Sequence, residues 1–178
     1  FKLFTRYMHD EAFRDHSLPE IRRVPLEGLC LQVQLQRMAG GISGFLGKAL
    51  EAPSTEAVDA AVSALKRLGA LDTRSNLTSL GVHLAQLPVD VRIGKMLLYA
   101  SILGCLDPVL TVAAVLGGRS PFVAPIDKRE EANEAKMGFA VEQSDHLTTV
   151  EAFNGWREAR AAGGRAAERD FVTRSFLS

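Results

Sequence analysis

Apolar and polar positions are patterned most legibly between Leu77 and Leu116, where three short helical patterns follow one another with punctuation between them. Thr78 can cap a turn running through Leu80, Leu84 and Ala85, and Pro88 ends it. Asp90 can cap a second helix whose apolar residues Ile93, Met96, Leu97 and Ala100 fall at i, i+3, i+4 and i+7, a spacing that buries one face. Asp107 and Pro108 predict the start of a third, with Asp107 as the cap and the proline at the first helical position, where its missing N–H costs nothing. Val109 to Leu116 is apolar nearly all round, so this helix is expected to be enclosed by others.

Upstream, Phe1 to Thr5 alternates in the manner of a short strand, and Arg6 to Ser17 reads as a connector or loose helix. Ser17 and Glu20 have the spacing of a capping box, and Pro25 interrupts the pattern, so a second helix is expected from about Leu26 to Gln36. The glycine-rich GGISGFLGK segment invites comparison with a phosphate loop. Gly41 and Gly47 enclose five residues where a Walker A loop needs four, and Lys48 is followed by Ala49 rather than Ser or Thr. A flexible loop before a short helix at Phe45 to Leu50 is the better reading. Ser54 opens the next helix, with Ala57, Ala61, Leu65 and Leu68 inward and Gly69 as its stop. Ala70 to Asp72, a polar turn at Thr73 to Asn76, and Leu77 to Ser79 then predict a small β-hairpin.

Downstream, Gly117 and Gly118 close the third helix and Ser120 to Val123 crosses in extended form. Asp127 to Glu130 has capping-box spacing before a helix with Ala132, Ala135 and Phe139 inward. Ser144 to Thr148 starts a helix through Val150, Phe153 and Trp156 that a double glycine, Gly163 and Gly164, should stop.

Composition narrows the function classes. Lys and Arg balance Asp and Glu at 10 against 10 up to Asp90 and 11 against 11 beyond it, so no basic excess marks a free-standing nucleic-acid binder. Any contact with nucleic acid must therefore be local, or shared with basic surface outside this region. No apolar run approaches the roughly 18 uncharged residues of a membrane span, and no signal peptide is visible, which predicts a soluble, intracellular chain, cytoplasmic or nuclear. Cys30 and Cys105 lie in apolar helical context and are expected to be buried thiols in a reducing compartment rather than a disulfide or metal site. The four histidines are scattered, and neither a GxSxG elbow nor an HExxH helix is present. The residues suggest binding and transmission rather than catalysis.

Several segments together resemble a family. LTSLGVHLAQLPVDVRIGKML followed by CLDPVLTVAAVL, with LPEIRRVPLEGLCLQ before them and SPFVAPIDKREEA and SDHLT after, is similar to the helicase-associated region of DEAH-box and RNA helicase A-like RNA helicases. The resemblance covers almost the whole chain. It implies a mainly α fold: residues 1–16 as the tail of a second RecA-like domain and a connector, a winged helix with a small β-hairpin over 17–90, and a helical-bundle ratchet over 91–178 that ends before the family's OB-fold. It further implies a part of an ATP-driven 3′-to-5′ RNA helicase, with ATP and magnesium held by motor domains outside this region and single-stranded RNA as partner. Docking of a glycine-rich G-patch-type activator on the winged helix is the alternative, for which an apolar surface around Ile21 to Leu31 would speak. A stand-alone DNA-binding winged helix fits poorly, because the helix before the hairpin offers only Lys66 and Arg67, which a solvated helix end explains.

Candidate RNA contacts follow from both sources. Lys128 and Arg129 lie in the stretch matching the family, although a salt-bridged solvent face explains the same charges. His146 and Thr148 sit in a helix first turn, whose free N–H groups suit a phosphate as well as an ordinary cap. Arg165 and Arg169, with Arg174, recur close to one helix side. Where relatives carry a cysteine and an Asn-Phe pair, this chain has Ala167, Asp170 and Phe171, and a carboxylate at Asp170 would repel phosphate if it faced RNA.

Overall fold

The computed structural model describes residues 2–13 and 16–178, and these form two compact units, Phe1–Leu87 and Pro88–Ser178. The fold is mainly α, and among the described residues only isolated antiparallel bridges represent β-structure. Residues 2–5 form no strand; Phe1, which shares that expectation, lies outside the described residues. Met8–Ala12 form a short π-helical turn within the expected connector, of which residues 14 and 15 lie outside the described residues.

In the first unit, α1 (Glu27–Leu35), α2 (Gly41–Leu46), α3 (Thr55–Leu68) and α4 (Ser79–Gln86) pack around Cys30, Leu31 and Leu65, which are fully enclosed. Ser17 and Glu20 make no capping box. The segment is instead a single 3-10 turn, Glu20–Arg22, entered from Pro19, too short to present the N–H groups a box would satisfy. The glycine-rich segment is itself the helix rather than a loop before one, because Ile42 and Leu46, four apart, are both buried and this outweighs glycine's poor propensity. Gly40, at φ 87°, supplies the left-handed entry. Helix α3 begins and ends as its pattern predicts, with Ser54 accepting from the Ala57 N–H and Gly69 left-handed. Its buried stripe is Val58, Ala61, Ala64 and Leu65, rotated from the predicted face so that the branched Val58 replaces Ala57 inside.

The predicted hairpin narrows to one bridge, Leu71 with Leu77. Its turn is held by Asp72, whose carboxylate accepts from the Asn76 backbone N–H and side chain at 2.8 and 3.1 Å. Those bonds hold the Asp72 carboxyl below its ordinary range. Thr78 then caps α4 by accepting from the Gly81 N–H at 3.0 Å and donates its own hydroxyl to the Gly69 carbonyl at 2.7 Å. Gly81 lies so close to the carbonyl of Ala70 that any Cβ there would collide with backbone. The glycine of the LTSLG motif is therefore a packing requirement of the turn against α4.

The second unit contains α5 (Val91–Ile102), α6 (Leu106–Leu116), α7 (Arg129–Met137) and α8 (Asp145–Arg174). Asp90 caps α5 as predicted, accepting from the Arg92 and Ile93 N–H groups. Of the predicted inward positions only Ala100 is fully buried, joined by Val91 and Gly94, while Ile93, Met96 and Leu97 are half-buried. Helix α6 starts at Leu106, ahead of Asp107 and Pro108, with Cys105 at its cap after the left-handed Gly104. Pro108 remains inside the first turn, where its missing N–H is tolerated. The expected enclosure of α6 is not met: Val112 and Ala113 are buried, but Leu106, Leu110 and Leu116 are exposed on its outer side. Cys105 is likewise exposed, unlike Cys30. Asp127 makes no capping box either, because it is taken up in a 3-10 turn, Ile126–Lys128, that precedes α7.

The double glycine turns α8 sharply. Gly163 and Gly164 leave helical geometry, Gly164 at φ 61° and ψ −149°, a region essentially confined to glycine. In an uninterrupted helix Gly155 and Phe171 would be about 24 Å apart. Here the Phe171 ring covers Gly155 so closely that a Cβ would stand 2.8 Å from it. Residues 165–174 therefore fold back along residues 145–162, and Phe171 is buried with Phe139 at its edge. The chain end returns to the extended crossing, with Phe122 bridged to Leu177.

Gly81→Ala should lower stability by at least about 2 kcal/mol, read as a reduced urea midpoint; an unchanged midpoint would contradict the close packing of α4. Burial first, and the Glu27 charge second, push the Cys30 thiol from 9.0 up to about 11. The unfolded chain ionises earlier, so stability is full below pH 9 and falls as pH rises toward about 11, by on the order of 2 kcal/mol. A thiol reagent at neutral pH should accordingly titrate Cys105 quickly and Cys30 only after unfolding.

Candidate nucleic-acid interface

The turn in α8 creates a concavity of about 560 Å³ lined by Arg160 from before the glycines and by Arg165, Glu168, Arg169, Val172 and Thr173 from after them. Arg165 and Arg169, four apart, share a helix face, and the fold-back brings Arg160 to them. Glu168 is the carboxylate in this lining. It accepts from the Trp156 indole N–H at 3.2 Å and pairs with the Arg160 Nε at 3.7 Å. The Arg160 guanidinium also lies over the Trp156 ring, 5.3 Å from its centre. Three guanidinium groups against one carboxylate leave the lining net positive in a chain whose overall charge is zero.

The other predicted positions lie apart from this pocket. Lys128 and Arg129 are exposed at the start of α7, followed at once by Glu130 and Glu131. Ser144 is the cap of α8, accepting from the Leu147 N–H at 3.2 Å, so Asp145 is the first helical residue rather than the cap. Asp145 pairs with Lys136 at 3.0 Å. His146 is exposed beside it, whereas Thr148 is buried and donates its hydroxyl to the Ser144 carbonyl at 2.9 Å. Asp170 is exposed and off the pocket lining, so its carboxylate does not oppose Arg165 and Arg169 there. Lys66 donates to the Thr73 carbonyl at 3.0 Å and braces the hairpin turn.

Sequence reasoning missed Arg160, Trp156 and Glu168 as site members. The available signal was the double glycine: read as a hairpin turn rather than a stop, it places residues shortly before it opposite residues shortly after.

An apolar groove of about 660 Å³ adjoins this pocket, with Leu110 and Ala114 on one side and Phe153, Trp156 and Val172 on the other. Among the described residues no group of His, Cys, Asp or Glu is arranged to hold a metal ion, and no helix is long and apolar enough to cross a membrane.

Comparison with known proteins identifies the family. Residues 61–89 match the winged-helix part, and 90–149 the ratchet-like part, of the helicase-associated domain, together half of the chain. The chain is 46% identical over 179 residues to human ATP-dependent RNA helicase DHX29, covering all of this chain and 13% of that protein. The chain belongs to the helicase-associated family of the DEAH/DHX helicases. Mouse ATP-dependent DNA/RNA helicase DHX36 is 50% identical over 165 residues, 92% of this chain and 16% of its own length. The Arabidopsis thaliana helicase DExH1 is 46% identical, covering all of this chain and 18% of its own. The helicase-associated region thus spans about a seventh of the curated relatives it matches.

Proposed function

We propose that this region holds single-stranded RNA for an ATP-driven 3′-to-5′ RNA helicase and couples the strand to RecA-like motor domains, which would carry ATP and magnesium. The winged helix would occupy 17–90, with the Leu71–Leu77 bridge as a minimal wing, and the ratchet bundle 91–178. The observation that carries the reading is the concentration of arginine at the α8 turn, three guanidinium groups to one carboxylate, in a chain whose overall charge is zero. A neutral, well-capped bundle grips few phosphates and reads no bases, so binding is weak, salt-sensitive and indifferent to sequence. Lys128, Arg129 and His146, exposed on the same unit, are further backbone contacts in this reading; Thr148 contributes by securing the start of α8 through its bond to Ser144. The helicase would work inside the cell, in cytoplasm or nucleus, where its RNA is.

A second reading rests on Leu18, Val24 and Leu29, which are partly exposed around the first helix. They would suit an apolar protein segment such as a G-patch-type activator on the winged helix, and the two roles are compatible.

Fluorescence anisotropy of labelled single-stranded RNA against this chain, across a salt series and beside duplex DNA, tests the first reading. Affinity for RNA should fall steeply with salt and vary little with sequence. Tighter binding of the duplex, or no RNA binding at low salt, would overturn it.

A further inference from the structure

We infer that the pocket at the α8 turn is a phosphodiester site for single-stranded RNA in which Glu168 holds Arg160 in reserve until a phosphate displaces it. The inference rests on the RNA-holding reading and assigns its contact. Among the described residues Arg165 and Arg169 have no protein partner, and both are exposed at the pocket rim. Two guanidinium forks one helical turn apart match backbone phosphate oxygens, which they can bind bidentately.

Arg160 differs from them because it is already engaged, stacked on Trp156 and paired with Glu168. That pair is long, at 3.7 Å, and its arginine is more than half exposed, so a doubly hydrogen-bonding phosphate competes well for it. Glu168 is the more enclosed partner, and the Trp156 N–H remains on it after Arg160 leaves. The carboxylate is therefore never stranded without a donor, which keeps the exchange inexpensive. Val172 and Thr173 complete the lining with no pattern of donors and acceptors suited to a base edge, consistent with contact to the backbone alone.

Trp156 is the only tryptophan in the chain, and Arg160 lies over its ring, so its emission reports on this pocket. The test titrates the 178-residue chain with oligouridylate and, separately, with tripolyphosphate, following Trp156 emission together with anisotropy of labelled RNA. RNA should change the emission in step with binding. R165A/R169A should leave the unfolding midpoint unchanged, abolish the emission change and reduce the slope of log affinity against log salt by about 1.4. E168Q, which keeps an acceptor for Trp156 but frees Arg160, should tighten RNA binding several-fold. Wild-type affinity and slope in R165A/R169A would overturn the pocket while leaving the RNA-holding reading intact, whereas absence of RNA binding by the unaltered chain would overturn both. Emission that responds to tripolyphosphate but not to bound RNA would show a site for free phosphate and would also overturn the assignment.

Discussion

The fold-back of α8 at Gly163 and Gly164 is the constraint on which the functional face of this chain depends. A side chain at Gly164 would oppose the backbone angles the turn requires. A side chain at Gly163 would meet the Ala167 methyl at 2.6 Å. Because the turn is made, the Phe171 ring can close over Gly155, Trp156 can reach Glu168, and Arg160 can stand with Arg165 and Arg169. Straightened, the same residues would be strung along a helix some 45 Å long, with Arg160 turned about 140° around the axis from Arg165 and about 13 Å along it from Arg169. The small residues and the aromatic ring are thus structural conditions for the charge cluster.

This arrangement reconciles a neutral chain with the proposed RNA-holding role. Charge balance over each half of the sequence argues against broad electrostatic attraction, but it does not forbid local excess where folding gathers one sign. Several other cations of the same unit are partnered or flanked: Lys136 by Asp145, Arg157 by Asp107, and Lys128 and Arg129 by the acidic first turn of α7. In the proposed RNA-holding role, few contacts would suit a strand that is released in every cycle, since many would make release slow.

Most helix positions were legible in the sequence because their signals are local. Ser54, Thr78 and Asp90 are caps by residue type and by position, and Gly69 stops α3 in the left-handed conformation that its place predicts. Three capping-box and cap readings failed for one physical reason: at Ser17, Asp107 and Asp127 the chain enters a tight 3-10 turn, or its helix starts earlier, so the side chain no longer faces free N–H groups. The helix at Gly41–Leu46 was hidden because its stability comes from burying Ile42 and Leu46, a tertiary effect that glycine-rich composition masks. The exposed side of α6 was equally invisible, since apolar periodicity reports what a helix can bury and not what covers it. In the site, Arg165 and Arg169 could be found from helical spacing alone. Arg160 could not, because its place beside them depends on the direction the chain takes after the glycines.

The most direct measurement is RNA binding by a chain in which Gly163 and Gly164 are both replaced by alanine, with helical content checked by circular dichroism. The alanines favour a continuous helix and separate Arg160 from Arg165 and Arg169 without removing any charge. The account predicts retained helicity with RNA affinity reduced at least tenfold, on the order of 1.4 kcal/mol, and with a shallower salt dependence. A double-alanine chain that binds RNA with unaltered affinity and salt dependence would contradict it.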